Sequence, residues 1–247
     1  MTDHEVLGNA AAFRDALGPC YAENTAAILK HSTKAVDEAY VRMVTLQAWR
    51  SFVLEGKLDA GALGFYSEAQ NDGLTSVALM CGGLWRPAMI SLRSLMENVV
   101  KCLYYMDHPV EYRRWEAGAY KPTISSLFQY LDDHPDVLSL PEAINPLNGL
   151  RGQYRKLSEA VHASAIKSRM TDDIKQTQLW RTDKKYIGQW SYAHRGVVRD
   201  ANLLLLGLFK EALAGAAVKG LKESLASSIP ASKDKLIKEH LGVRIAR

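Results

Sequence analysis

Apolar residues recur every three or four positions through "AENTAAILKHSTKAVDEAYVRMVTLQAWRSFVLEGKL" (22–58). That is the spacing of one long amphipathic helix, with Gly56 and Gly61 bracketing its end. A second long helix opens at "GFYSEAQNDGLTSVALMC" (64–81), and the "CGGLW" that overlaps its end marks a stop or a kink. "RPAMISLRSLMENVVKCLYYMDHP" carries Pro87 in its first turn and closes before Pro109, both ordinary helix boundaries. Short helices are expected in "EYRRWEAG", ended by Gly118, and in "TISSLFQYLDDHP", with Thr123 as its cap. "EAINPLNGLRGQYRKLSEAVHAS" (142–164) runs into a further helix. "TDDIKQTQLWRTDKK" (171–185) reads as a polar loop or strand-like stretch, and "YIGQWSYAHRGVVRDANLLLLGLFKEALAGAAV" (186–218) as the last long helix. No alternating strand pattern and no repeat period stands out. Four to five long helices with short connections predict an all-α fold, an antiparallel helical bundle with short accessory helices over residues 1–218. Residues 219–247 read as a basic C-terminal tail with one short helix.

Composition narrows the class. The 247 residues are 47% apolar and 23% charged, ordinary for a soluble domain able to bury a real core. The longest apolar run, "TSVALMCGGLWRPAMISL", is interrupted by Arg86, Pro87 and a glycine pair, so a buried helix pair is expected and a membrane span is not. "MTDHEVLGNAAAFRDALG" has acids and no apolar core run, unlike a signal peptide. Cys20, Cys81 and Cys102 show no CxxC spacing and leave an odd count, which fits a reducing, cytoplasmic location. Charge is uneven. Arg151–Arg199 holds eleven Lys/Arg against four Asp/Glu, and Lys219–Arg247 seven against three. A basic third of this kind suits a polyanion, and it equally suits a solvated helix face.

The chemistry centres on "YRKLSEAVHAS" (154–164). Seven residues make about two helical turns, so Arg155 and His162 share a face. Ser158 and Glu159 lie between them, and Arg151 extends the face one turn back. Arg grips phosphate oxygens with two hydrogen bonds, and His passes protons near neutral pH. Glu159 can orient the imidazole or simply pair with Arg155 four residues away. Ser158 can bond a substrate or cap locally. Arg93 and Glu97, four apart on an apolar helix, read as an ion pair fixing register or as support for His162 from a neighbouring helix. Asp107 and His108 read as a helix end, and His194 as a core or surface histidine. "EAVH" has the Glu-x-x-His spacing of di-iron bundles, but no other histidine has Glu three residues before it. No zinc spacing, Gly-rich phosphate loop or GxSxG elbow is present, so no metal or cofactor is expected.

The succession "SLRSLMENVVKCLYYMDHPVEY" then "YRKLSEAVHAS" resembles bacterial all-helical families of unknown function allied to the HEPN superfamily. In those families an "LRxLxE" helix precedes a "YxxLSxxVH" helix. The resemblance covers residues 74–166, with looser support from the last long helix. HEPN ribonucleases carry R-x(4–6)-H, and Arg155-x6-His162 stands at its upper limit, with Arg151 as the alternative counterpart. Lys156 follows the arginine where Asn, Asp or His is common in the family. The resemblance implies a metal-independent endoribonuclease acting as a bacterial toxin or antiphage defence effector. Its implied partners are RNA and an antitoxin or defence protein, and its implied state is a homodimer whose two motifs face each other across one cleft. Two other readings stand beside it. One is a non-catalytic helical module binding a protein or nucleic acid in such a system. The other is a sensor for a small anion anchored by Arg151 and Arg155.

Overall fold

The computed structural model of the chain describes residues 3–162, 180, 182–213 and 218–247. They form helices α1 (Asp3–Phe52), α2 (Ala60–Cys81), α3 (Trp85–Asp107), α4 (Pro109–Glu116) and α5 (Ile124–Asp133). There follow α6 (Pro135–Leu138), α7 (Leu147–His162), α8 (Lys184–Leu208), α9 (Lys219–Leu225) and α10 (Asp234–Leu241). Among the described residues there is no strand, so the expected all-α class holds. No described helix is long and apolar enough to cross a membrane. Of the stretch read as a polar loop, residues 171–179 and 181 lie outside the described residues.

Local chemistry sets the helix ends. Asp59 accepts the Ala62 N–H at 2.8 Å and caps α2. Gly83, at φ 79°, makes the reversal into α3, a backbone region that costs glycine nothing. Thr123 caps α5 by accepting the Ser126 N–H at 3.1 Å. Asn145 accepts the Leu147 N–H at 3.0 Å where α7 starts. Asp107 ends α3, and His108 stands at the start of α4 with its ring bonded back to the Tyr104 carbonyl at 2.9 Å and no capping bond to α4.

α2 and α3 form an antiparallel hairpin, and α3 also packs on α7 and α8. α8 is buried on every side over Leu203–Leu206, the signature of a central helix. Trp49, Trp85, Trp190, Tyr66, Tyr105 and Tyr186 are fully buried. Trp49, Tyr66 and Trp190 have their polar ends matched, whereas Trp85 Nε1 and Tyr105 Oη have no partner among the described residues. Trp190 Nε1 donates to Ser76 Oγ at 2.9 Å and Trp49 Nε1 to Asn202 Oδ1 at 2.8 Å, bonds that stitch α8 to α2 and α1.

The C-terminal segment, read from sequence as a tail with one short helix, contains both α9 and α10. Its Leu221, Leu225, Ile229, Ile237, Val243 and Ile245 belong to the same core as the bundle. α1 begins at Asp3, well before the expected Ala22, and kinks at Ser32 (φ −138°, ψ 20°).

Candidate functional site

α7 carries the sequence motif on its outer side. At about 100° per residue, Leu150, Leu157 and Ala160 turn inward, while Arg155 and His162 lie nearly opposite them. Both are exposed, and neither is tied to another described residue by a hydrogen bond or ion pair. A guanidinium and an imidazole two turns apart are thus exposed on one face of α7.

The other predicted residues hold this helix in place. Arg151 pairs with Asp132 of α5 and its guanidinium lies 5.2 Å over the Phe128 ring. It is committed to the α5–α7 contact, whereas Arg155 is exposed and makes no such contact. Arg93 donates to Glu97 at 2.8 Å and to the Tyr154 hydroxyl at 2.6 Å, with its guanidinium 4.6 Å above the Tyr154 ring. Arg93 and Glu97 form the expected ion pair and brace α7 at Tyr154, two turns short of His162. Ser158 Oγ donates to the Tyr154 carbonyl at 2.7 Å, a back-bond within the helix and not a cap.

Sequence reasoning missed Arg86. Its Nε donates to the Ala160 carbonyl at 2.6 Å and its Nη2 to the Val161 carbonyl at 2.9 Å. These are the orphan carbonyls at the end of α7, where a cation also meets the negative end of the helix dipole. Arg86 therefore fixes the turn that presents His162. The only sequence signal was a charged residue inside an apolar run, just before Pro87.

Beside the motif, α3, α7 and α8 enclose a cleft of about 420 Å³, lined in part by Trp85, Gln153, Lys156, Glu159 and Tyr192. Lys156 lies 5.3 Å over the Tyr192 ring at this cleft. Gln153 Oε1 and Trp85 Nε1 are buried without a hydrogen-bond partner among the described residues, one an acceptor and the other a donor. Arg155 and His162 do not line it. Of the anticipated face, Glu159 lines this cleft, while Arg155 and His162 are exposed and do not line it.

His194, read as a core or surface histidine, lies in the core. It is fully buried, and burial followed by the nearby Arg42 charge depresses its pKa to about 3, so it is neutral. No group of three or more His, Cys, Asp or Glu side chains that could hold a metal ion occurs among the described residues. No protein-family model, curated protein or solved structure matches the chain, so its function is read from this geometry alone.

Proposed function

We propose that the chain is a metal-independent endoribonuclease of the HEPN type, serving as a toxin or antiphage effector, with His162 and Arg155 as its catalytic pair. The observation that carries this reading is the joint exposure of the two side chains on one face of α7, with Arg151 occupied elsewhere. His162 takes the proton of a ribose 2′-hydroxyl. The 2′-oxygen then attacks the adjacent phosphorus and the 5′-oxygen leaves, gaining a proton. One product ends in a 2′,3′-cyclic phosphate and the other in a 5′-hydroxyl. Arg155 stabilises the charge gathering on the phosphate oxygens, with Lys156 adding to the local positive field. An exposed face becomes one wall of a cleft when a second copy meets it, which is the role of the homodimer in this scheme.

The test is incubation of labelled RNA with the full chain in chelator, beside His162→Ala and Arg155→Ala. Either substitution should slow cleavage by about 10²–10⁴-fold, the usual share of a general base or a charge stabiliser, with circular dichroism unchanged. Fragments with a free 3′-hydroxyl, or cleavage indifferent to His162, would overturn the assignment.

The α3–α7–α8 cleft favours a second reading, a binding module without chemistry. Its wall includes Trp85 and Gln153, each with a buried polar atom that has no partner among the described residues, and it excludes Arg155 and His162. RNA or protein binding that both variants retain, with no cleavage by any of the three proteins, selects that reading.

A further inference from the structure

A second concave site lies away from α7. The kinked α1, the Arg195 region of α8 and the Ala226–Pro230 turn enclose an open cleft of about 810 Å³, and none of its lining comes from α7. Arg42 forms part of its wall. Only 4% of Arg42 is exposed, yet its guanidinium is incompletely bonded. Nε donates to His194 Nδ1 at 3.4 Å and Nη1 to Glu38 at 3.4 Å, both long, while Nη2 is buried with no partner among the described residues.

The charges around Arg42 do not balance. Glu38 is shared by Arg42 at 3.4 Å, Arg195 at 3.3 Å and Lys34 at 3.9 Å. His194 is neutral and adds no negative charge. Asp37 is the other carboxylate of the lining. Arg247, at the rim, is already matched by Asp234 at 2.6 and 2.8 Å and by two backbone carbonyls. Among these side chains three cations thus face two carboxylates, a side-chain surplus of one positive charge. The rest of the wall includes Val41, Ala226, Ile229 and Pro230, an apolar surface. A buried guanidinium left with an unbonded nitrogen is costly, and an anion that enters the cleft recovers that cost.

We propose that this cleft binds a small organic monocarboxylate, its carboxylate on Arg42 and Arg195 and its hydrocarbon body against Val41, Ile229 and Pro230. A single negative charge matches the surplus, whereas a phosphate dianion would exceed it and leave the apolar wall wet. The site depends in no way on RNA cleavage by α7.

The experiment is calorimetric titration of the full chain with hexanoate, inorganic phosphate and hexylamine. Hexanoate should bind, phosphate should bind more weakly and hexylamine not at all. Arg42→Met exchanges the buried charge for an apolar chain of similar length, and Val41→Asp adds an opposing charge at an exposed wall position. Each should weaken hexanoate binding by about tenfold or more, the scale of one charge-assisted hydrogen bond. Val41 is 48% exposed, so its variant keeps the test open if Arg42→Met does not fold. Failure of hexanoate to bind the unaltered chain, equal binding by folded variants, or preference for phosphate or hexylamine each overturns the proposal.

Discussion

At the scale of single residues, the most consequential placement is a histidine that does no chemistry. His194 Nδ1 accepts from Arg42, so its proton sits on Nε2, which has no partner among the described residues. Its pKa in the fold is about 3, against an ordinary value of about 6.5. The unfolded chain therefore takes up the proton first. Stability from this residue is whole above about pH 6.5 and is lost as pH falls through that value towards about 3. His194→Asn keeps an acceptor for Arg42 and removes the titrating ring. We expect it to cost about 1–3 kcal/mol at pH 7 through lost packing and a weakened bond, and to flatten the fall in stability between pH 6.5 and 4. Urea melts across that range decide the matter, since parallel curves for the two proteins would refute it. The burial of His194 could not be read from "SYAHRGVVR", because it depends on Arg42 arriving from a helix 152 positions away. The exposure of Arg155 and His162 was nearer the surface of the sequence. Leu150, Leu157 and Ala160 define the inward face of α7, and the motif falls opposite them.

At the scale of elements, α7 and α8 meet where a side chain would not fit. A Cβ on Gly149 would stand 2.3 Å from a carboxylate oxygen of Asp200, and Asp200 is itself buried and bonded to Arg199 at 2.6 and 2.9 Å. Gly149→Ala must push the helices apart or disturb that ion pair, and should destabilise the fold by about 1–3 kcal/mol. Gly152, one turn on, has nothing within 4 Å of its Cβ position, so Gly152→Ala should stabilise α7 by about 0.5–1 kcal/mol. Opposite signs in the two denaturation midpoints are the expected result, and a stabilised Gly149→Ala would remove the close approach from the account. Helices with an inward stripe were legible from the chain alone. α3 lies where its periodicity puts it, α8 begins as expected but ends at Leu208 and not at Val218, and Thr123, Pro109 and Gly118 mark the ends they suggested. The first turns of α1 were not legible, because Val6, Leu7, Phe13 and Leu17 are exposed and trace no face against the core. The helix also runs through Gly18 and Pro19. The α9–α10 segment was hidden for the opposite reason. Its buried Leu and Ile residues are too sparse among lysines to show a period, and they are ordered by packing onto the bundle.

At the scale of the whole molecule, the ribonuclease reading asks more of the protein than one copy presents. Arg155 and His162 are exposed, and neither lines the two clefts described above. General acid–base work on a phosphodiester needs an oriented strand and a partly dry site, which a lone exposed helix face does not give. A two-fold dimer brings two such faces together and can draw the arginine of each reacting site from one copy and the histidine from the other. That arrangement predicts complementation. Arg155→Ala and His162→Ala proteins, each inactive, are mixed, unfolded and refolded together. Random pairing makes about half of the dimers mixed, and one of the two sites in each mixed dimer holds both residues, so roughly a quarter of the original cleavage rate should return. The rate is compared with each variant refolded alone, and light scattering establishes that dimers have formed. Dimers without recovered cleavage would show that each copy uses its own pair, and a strictly monomeric chain that still cuts would remove the composite cleft altogether.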